Sequence, residues 1–417
     1  MVGADFDTSV PALLLTIGAH EWDYGALATV RTLGRVGVPV WATVARPYVP
    51  LASSRYLAGA IPWPTAGAES AAALIAAIDG MLQQIGRPTV AIAGDDETAV
   101  LLAAHREHFS TLMLPKVAPD LPARLASKGG LAELCAAHGT PTPRTAVPTS
   151  WAEVAQFASV AQFPCVVKNP EPFSRLVTPA VAATTKVANL SELESALSKW
   201  QPGEPLLIQE FVPEEDSEDW YVEAVFDDAG APVVAFSGQK LRAYPVGTGV
   251  GTLSVSTVNR RVLDVACDFA GKIGYSGACD MDWRYDRRDD TYKLIDFNPR
   301  RGAQFRLFQS DTGIDVVRAL HLQLTGRPVP AGRQVAGVHH VVGVLDQKAY
   351  RDQRRAGRAG PRLLQRGRVE RSWWAADDPA PAWRFATQLG PAAKVADALR
   401  APFRRNKSSG TSVGDSA

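Results

Sequence analysis

The chain has 417 residues, enough for two to four domains at about 100 to 200 residues each. Hydrophobic residues make up 46% and charged residues 21%, which excludes a disordered or coiled-coil chain. Lys plus Arg number 44 against 43 Asp plus Glu, so the net charge of +1 disfavours a surface that tracks nucleic acid along its whole length. The four cysteines, Cys135, Cys165, Cys267 and Cys279, form no C-x-x-C pair. They sit mainly in apolar runs, which argues against a zinc ribbon or a disulfide framework and for a reduced, cytoplasmic setting. Asp5 and Asp7, not a basic segment, precede the first apolar run, and no stretch reaches the roughly 18 apolar residues of a membrane span. Neither a signal peptide nor a transmembrane helix is expected.

In chain order, Ala12 to Ile17 reads as a strand, Tyr24 to Val36 as a helix and Val38 to Val44 as a second strand, a βαβ unit. Thr89 to Ala93, the turn Gly94 to Glu97 and a helix over Thr98 to Phe109 repeat the pattern, so residues 1–116 are expected to form a parallel α/β domain. The turn Gly18 to Gly25 lacks the G-x-G-x-x-G spacing, which excludes a dinucleotide site there. Prolines 115, 119 and 122 mark a boundary before a helix from Ser127 to about Gly139. The pairs Ser150 with Glu153 and Ser191 with Glu194 read as capping boxes, alternating with strands at Pro164 to Lys168 and Ala183 to Val187. Strands follow at Leu206 to Val212, Tyr221 to Asp227, Pro232 to Gln239, Gly277 to Tyr285 and Thr291 to Asn298, with turns at Asp228 to Gly230 and Arg287 to Asp290. The remainder is an arginine-rich extension over 331–417 ending in a Ser/Gly-rich tail read as disordered.

The chemistry concentrates in Ala278 to Trp283 and Tyr292 to Arg300. Residues two apart on a strand share a face, so Asp296 and Asn298 lie together, with Asp282 opposite on the paired strand. Three hard oxygen donors without a full cage match Mg²⁺, which prefers a few carboxylates completed by substrate phosphates and water. Lys168 ends an apolar strand, where its stem packs and its ammonium can meet phosphate. Lys128 lies near a helix start, where an anion also gains from the helix dipole. Lys240 and Arg242 are expected on one strand face as two cations aimed at phosphate or a substrate carboxylate, with Gly247, Gly249 and Gly251 as a mobile cover.

The run Leu294-Ile295-Asp296-Phe297-Asn298-Pro299-Arg300 resembles the terminal metal-binding motif of the ATP-grasp superfamily of carboxylate-amine ligases. Lys128 in Leu-Ala-Ser-Lys-Gly, Lys168 in Cys-Val-Val-Lys and the hinge Ile208-Gln209-Glu210-Phe211-Val212 fall in the superfamily's order, so the likeness extends from about Val10 to Pro330. It implies an N-terminal parallel α/β domain followed by a two-subdomain ATP-grasp fold with an antiparallel sheet, 117–204 being the central or lid part and 205–330 the part with the metal hairpin. By the same resemblance ATP is held by Lys128, Lys168 and the hinge residues Glu210, Phe211 and Val212, with Asp219 on the ribose. Mg²⁺, with Mn²⁺ as alternative, falls to Asp282, Asp296 and Asn298. Arg300 steadies phosphate or the tetrahedral intermediate, and Lys240 and Arg242 complete the catalytic set. Superfamily members more often carry glutamate where Asp296 stands. Aspartate is one methylene shorter, which leaves one ion more loosely held and Asp280 as the compensating ligand.

The activity implied is ATP-dependent activation of a small carboxylate as an acyl phosphate that an amine attacks, with ADP and phosphate released. Two alternatives stand beside it: a nucleotide-binding protein of this fold without turnover, and an enzyme similar to the D-aspartate ligases of cell-wall synthesis. Between Arg351 and Arg371 eight arginines face only Asp352 and Glu370 and lead into Trp373-Trp374. A helix and loop closing over the core is preferred to peripheral membrane contact, because Gly357, Gly360 and Pro361 interrupt any long amphipathic helix.

Overall fold

The computed structural model describes residues 4–18, 23–65, 67–168, 185–245, 249–355, 357 and 368–388. Three sheets carry the chain. The first is parallel, in the order β3-β2-β1-β4-β5, from β1 (Ala12–Leu15), β2 (Val40–Val44), β3 (Leu57–Pro62), β4 (Thr89–Ala93) and β5 (Leu112–Met113). Its central strand is the uninterrupted apolar run Ala-Leu-Leu-Leu, buried at every position, as a strand covered on both faces must be. The covering helices are α1 (Tyr24–Gly34), α2 (Ala71–Ile85) and α3 (Asp96–Ala104). Asp23, Ser70 and Asp95 cap them, each side chain accepting from a backbone N–H of the first turn. The third strand and α2 are absent from the sequence expectation. Leu57–Pro62 reads Leu-Ala-Gly-Ala-Ile-Pro and is an edge strand with alternate exposure, too weakly apolar to stand out.

Next come α4 (Leu121–Ala126) and α5 (Lys128–His138), the latter capped by Ser127 and ended by Gly139 in the left-handed region. A small antiparallel sheet follows, ordered β6-β9-β7-β8, from β6 (Thr145–Ala146), β7 (Cys165–Lys168), β8 (Thr185–Val187) and β9 (Leu207–Glu210). Its helices are α6 (Trp151–Val160) and α7 (Leu190–Ala196). Ser150 caps α6 as expected, but α7 starts earlier than the Ser191 to Glu194 box predicts. Asn189 is its cap, accepting from Glu192 N–H, while Glu192 accepts from Ala188 N–H. Because β9 belongs to this sheet, the small unit runs past the expected boundary at 204 to Glu210.

The large sheet is ordered β14-β13-β10-β11-β12-β15-β16, from β10 (Ser217–Phe226), β11 (Pro232–Tyr244), β12 (Val250–Ser256), β13 (Gly277–Asp286), β14 (Thr291–Asn298), β15 (His339–Val341) and β16 (Val369–Arg371). Around it pack α8 (Arg260–Lys272), α9 (Val316–Leu324), α10 (Gly343–Arg355) and α11 (Ala380–Gln388). The helices α4 and α5 share this sheet's core, where Leu125 and Leu131 meet Phe269, Met281 and Phe297. The region from 331 is therefore no appendage: β15 and β16 extend the sheet, and Asp378 buries a salt bridge with Arg31 of α1 at 2.9 Å. The centre of the arginine run, 358–367, and the Ser/Gly tail lie outside the described residues. One core joins the parallel sheet to the large one, with Leu14 and Val30 on one side, Val225 and Phe236 on the other, and Val317 and Leu320 of α9 between. That shared wall brings the C-terminal end of the parallel sheet to the β13–β14 hairpin, where Arg300 lies 3.2 Å from Asp96.

Candidate active site

The site is built on three adjacent antiparallel strands. Tyr221 of β10 pairs with Asp282 of β13, which pairs with Asp296 of β14; in the next row Glu223 pairs with Asp280, and Asp280 with Asn298. Asp282 does stand opposite Asp296, but a β-bulge is what puts it there. The register passes from Trp283–Leu294 to Asp282–Asp296, leaving Ile295 as the extra residue. Tyr292, Leu294 and Phe297 all remain in the core, and Asp296 and Asn298 turn to the opposite face. Without the bulge Asp296 would oppose Met281 and point inward.

Lysines from three elements meet these carboxylates. Lys128, the first residue of α5, forms an ion pair with Asp296, and Lys240 of β11 donates to Asp282 Oδ1 at 3.0 Å. Burial pushes Asp296 up, yet Lys128 and, at longer range, Lys168 hold it below the ordinary carboxylate value. Burial works against the Lys240 ammonium, but Asp282 and the Tyr221 ring 4.8 Å away keep its pKa above the usual one. Lys168 ends β7 in the small sheet and donates to Gln209 Oε1 at 3.0 Å. Burial first, then repulsion by Lys128, brings it down to about 8, an ammonium short of counter-charge.

Arg300 follows the hairpin. It donates to Asn298 Oδ1 at 3.1 Å and lies 3.2 Å from Asp96 and 3.5 Å from Asp280. Burial opposes its charge, and Asp96, Asp280 and Glu223 hold it firmly cationic. Behind it lie two under-satisfied buried carboxyls. Glu223 accepts one bond, from Gly302 N–H at 3.2 Å, while its Oε1 and Asp280 Oδ1 have no hydrogen-bond partner among the described residues. Burial and then the Asp280 charge raise Glu223, while burial and then the Asp282 charge raise Asp280 to about 7. Gly302 is required here, since a Cβ would sit 2.0 Å from Glu223 Oε1. Arg301 reaches Asp23 at 3.4 Å, tying the start of α1 to the same corner. Glu223 escaped the sequence reading, although a glutamate inside Trp-Tyr-Val-Glu-Ala-Val-Phe is its own signal: an acid in an apolar strand must face something polar.

The structure gathers Lys128, Lys168, Lys240, Asp282, Asp296, Asn298 and Arg300, and it leaves Arg242 out. Bulges on β11 around Arg242 turn its side chain toward α10. There it is buried with both Asp346 oxygens at 2.7 Å and its guanidinium over Tyr350. Arg242 is thus a structural cation and not one of a catalytic pair with Lys240. In the hinge, Glu210 N–H is bonded to Arg144 O and Phe211 N–H to Pro164 O, whereas Val212 N–H has no backbone partner among the described residues. The Glu210 carboxylate accepts from Gln162 N–H at 2.8 Å. The Phe211 ring lies between Lys186 and Arg284, and Asp219 pairs with Arg284 at 2.7 Å. The glycine cover falls partly outside the described residues, since 246–248 are not among them, and so does the middle of the turn Gly18 to Gly25.

Among the described residues no three His, Cys, Asp or Glu side chains converge as a metal cage. Asp282 and Asp296 do face each other, each balanced by a single lysine, and Asp280 beside them has a bare buried oxygen. Two or three hard oxygens that need outside completion fit Mg²⁺.

A parallel α/β domain leading into a small antiparallel sheet that faces a large one is the ATP-grasp fold. Residues 252–326 match the family described as the carbamoyl-phosphate synthase L chain, ATP binding domain. Among curated proteins the chain is similar to a D-aspartate ligase of Enterococcus faecium (strain Aus0004), 24% identical over 240 residues, 54% of this chain and 56% of that protein. The chain thus spans little more than half of that relative's length. Similar solved structures include an L-amino acid ligase from Bacillus licheniformis (TM-score 0.56, 14% identity, 76% and 74% of the two chains). Another is a biotin carboxylase from Campylobacter jejuni (0.58, 15%, 78% and 74%). A third is the N5-carboxyaminoimidazole synthetase of Staphylococcus aureus complexed with ADP (0.57, 10%, 77% and 79%). No helix among the described residues is long and apolar enough to cross a membrane.

Proposed function

We propose that the protein is an ATP-dependent carboxylate-amine ligase that activates a small carboxylate as an acyl phosphate and joins it to an amine, releasing ADP and phosphate. The observation that carries this reading is the meeting of Lys168 from the small sheet with Lys128, Lys240 and Arg300 around Asp282, Asp296 and Asn298 of the large one. Lys128 and Lys168 bind ATP phosphates, Val212 N–H meets the adenine edge and Asp219 the ribose. Asp282, Asp296 and Asn298 hold Mg²⁺, with Mn²⁺ as alternative. Bound there, the ion neutralises charge on the transferred phosphoryl group. Lysines gathered beside the metal ligands favour attack at the γ-phosphorus over the α-phosphorus. Arg300 then stabilises the oxyanion formed when the amine adds, a contribution of about 3 to 4 kcal/mol for a preorganised donor. No protein nucleophile is required.

The name of the Enterococcus relative supports D-aspartate among the carboxylates to be tried, and a nucleotide-binding role without turnover is the reading that failure would favour. The test is ADP release screened over amino acids and small carboxylates with hydroxylamine present to trap an acyl phosphate, and phosphorus NMR of the mixture. ADP with phosphate and a hydroxamate is expected. AMP with pyrophosphate would overturn the mechanism, and no substrate-dependent ADP with intact ATP binding would overturn the enzyme.

A further inference from the structure

A cavity of about 520 Å³ opens away from the nucleotide corner, where the end of α1, the start of α9 and β16 meet. Five arginines line it: Arg35, Arg306, Arg318, Arg368 and Arg371. Three are anchored by carboxylates, Arg35 by Asp377 at 2.7 Å, Arg306 by the buried Asp315 at 2.6 Å and Arg368 by Glu370 at 2.6 Å. The other two have no carboxylate within ion-pair distance among the described residues. Arg318 spends three of its five N–H groups on backbone oxygens, Thr32 O twice and Gly313 O once. Arg371 has no hydrogen-bond or ion-pair partner among the described residues. Burial, and then the neighbouring Arg306 and Arg35, hold Arg318 below the ordinary guanidinium value despite Asp315.

Among the described residues, five guanidiniums against three carboxylates are an arrangement that folding alone does not favour, because like charges are crowded and two are left uncompensated. The floor is rigid: Asp315 caps α9, accepting from Val317 and Arg318 N–H, and also accepts from Thr32 and Arg306. Planar guanidinium forks around an open space, three of them anchored by carboxylates and Arg318 by backbone oxygens, suit oxyanions, which take two parallel N–H bonds from one guanidinium. None of these residues belongs to the nucleotide corner. The helix α1 spans the distance, about 16 Å for its 11 residues, with Asp23 against Arg301 at one end and Arg35 at the other.

We propose that this cavity is a second anion site, for a small multiply charged oxyanion such as a phosphorylated or polycarboxylate metabolite, held by Arg318 and Arg371 within the anchored arginines. The test is calorimetric titration of the full chain with inorganic phosphate in one arm and citrate in the other, which tells a phosphoryl from a polycarboxylate ligand. Wild type, Arg371→Gln, Arg368→Gln and Lys168→Ala are compared. Saturable binding of either anion, weakened about tenfold by Arg371→Gln and less by Arg368→Gln but unchanged by Lys168→Ala, is the expected result. Both arginines are at the rim, so both variants should fold. No saturable binding in either arm, or binding lost in Lys168→Ala and kept in Arg371→Gln, overturns the proposal.

Discussion

The two ends of the β13–β14 hairpin carry the same residue types and treat them in opposite ways. At the turn, Asp286 is completely buried and completely satisfied: Arg288 Nε and Nη2 donate at 2.9 and 2.7 Å and Lys293 at 2.7 Å. Those bonds, led by Arg288, hold its carboxyl well below the usual range against the cost of burial. At the open end, among the described residues, Asp282 and Asp296 have one lysine each in ion-pair contact, and Asp280 and Glu223 each have an oxygen with no hydrogen-bond partner. A structural carboxylate is closed by its own hairpin. A site carboxylate waits for groups that the chain brings from other elements or that a ligand supplies, and burying it unsatisfied costs stability.

The strongest test of that contrast is Asp296→Asn. Turnover is expected to fall about a thousandfold, on the order of 4 kcal/mol of transition-state stabilisation, with little change in the unfolding midpoint. Wild-type turnover at limiting Mg²⁺ would remove Asp296 from the site. The mirror substitution, Asp286→Asn, should cost about 2 to 3 kcal/mol in urea unfolding, because it leaves Arg288 and Lys293 facing a neutral group. Turnover per folded molecule should stay close to wild type. Since the folded carboxyl is depressed, its contribution is present above the unfolded value near 4 and lost as pH falls toward the folded one, so the stability difference between variant and wild type should shrink in acid.

Lys168→Ala is expected to weaken ATP binding by about 2 kcal/mol in calorimetry, the size of a charge-assisted contact. With a pKa of about 8, this lysine is cationic below that pH and loses its charge above it. Wild-type ATP affinity should therefore fall as pH rises through 8, and Lys168→Arg should flatten the profile. A wild-type profile flat from pH 7 to 9 would contradict the lowered pKa. The smallest effect belongs to Glu223→Gln. Burial and then the Asp280 charge push its carboxyl well above the usual range, so a neutral amide of the same shape should change stability at pH 7 by no more than about 1 kcal/mol. A loss like that of Asp286→Asn would erase the distinction between the two ends.

How much of this is visible in the sequence is seen on single strands. The alternation of β13 places Asp280 and Asp282 on one face, and the resemblance to the superfamily, not local chemistry, supplied the order of Lys128, Lys168, the hinge and the hairpin. Arg242 shows the opposite case: counting by twos from Lys240 puts it in the site, and the bulges of β11 give it to Asp346. A bulge is set by neighbouring strands, so period-two counting fails across it. On β14 the same device did leave a trace, since core residues at 292, 294 and 297 break the period by one.

The sequence by itself determined a parallel α/β part followed by antiparallel strands, and the acids of the β13–β14 hairpin, because each depends on alternation, caps and turns within a few residues. Only the tertiary structure decided that β9 joins the small sheet, that residues 339–341 and 369–371 widen the large one, and that α9 fuses two cores into a single wall. It also decided which charges are quenched. Asp346, Asp377 and Asp378 lie more than a hundred residues from the arginines they neutralise, and no local pattern encodes a pairing made by packing distant elements together.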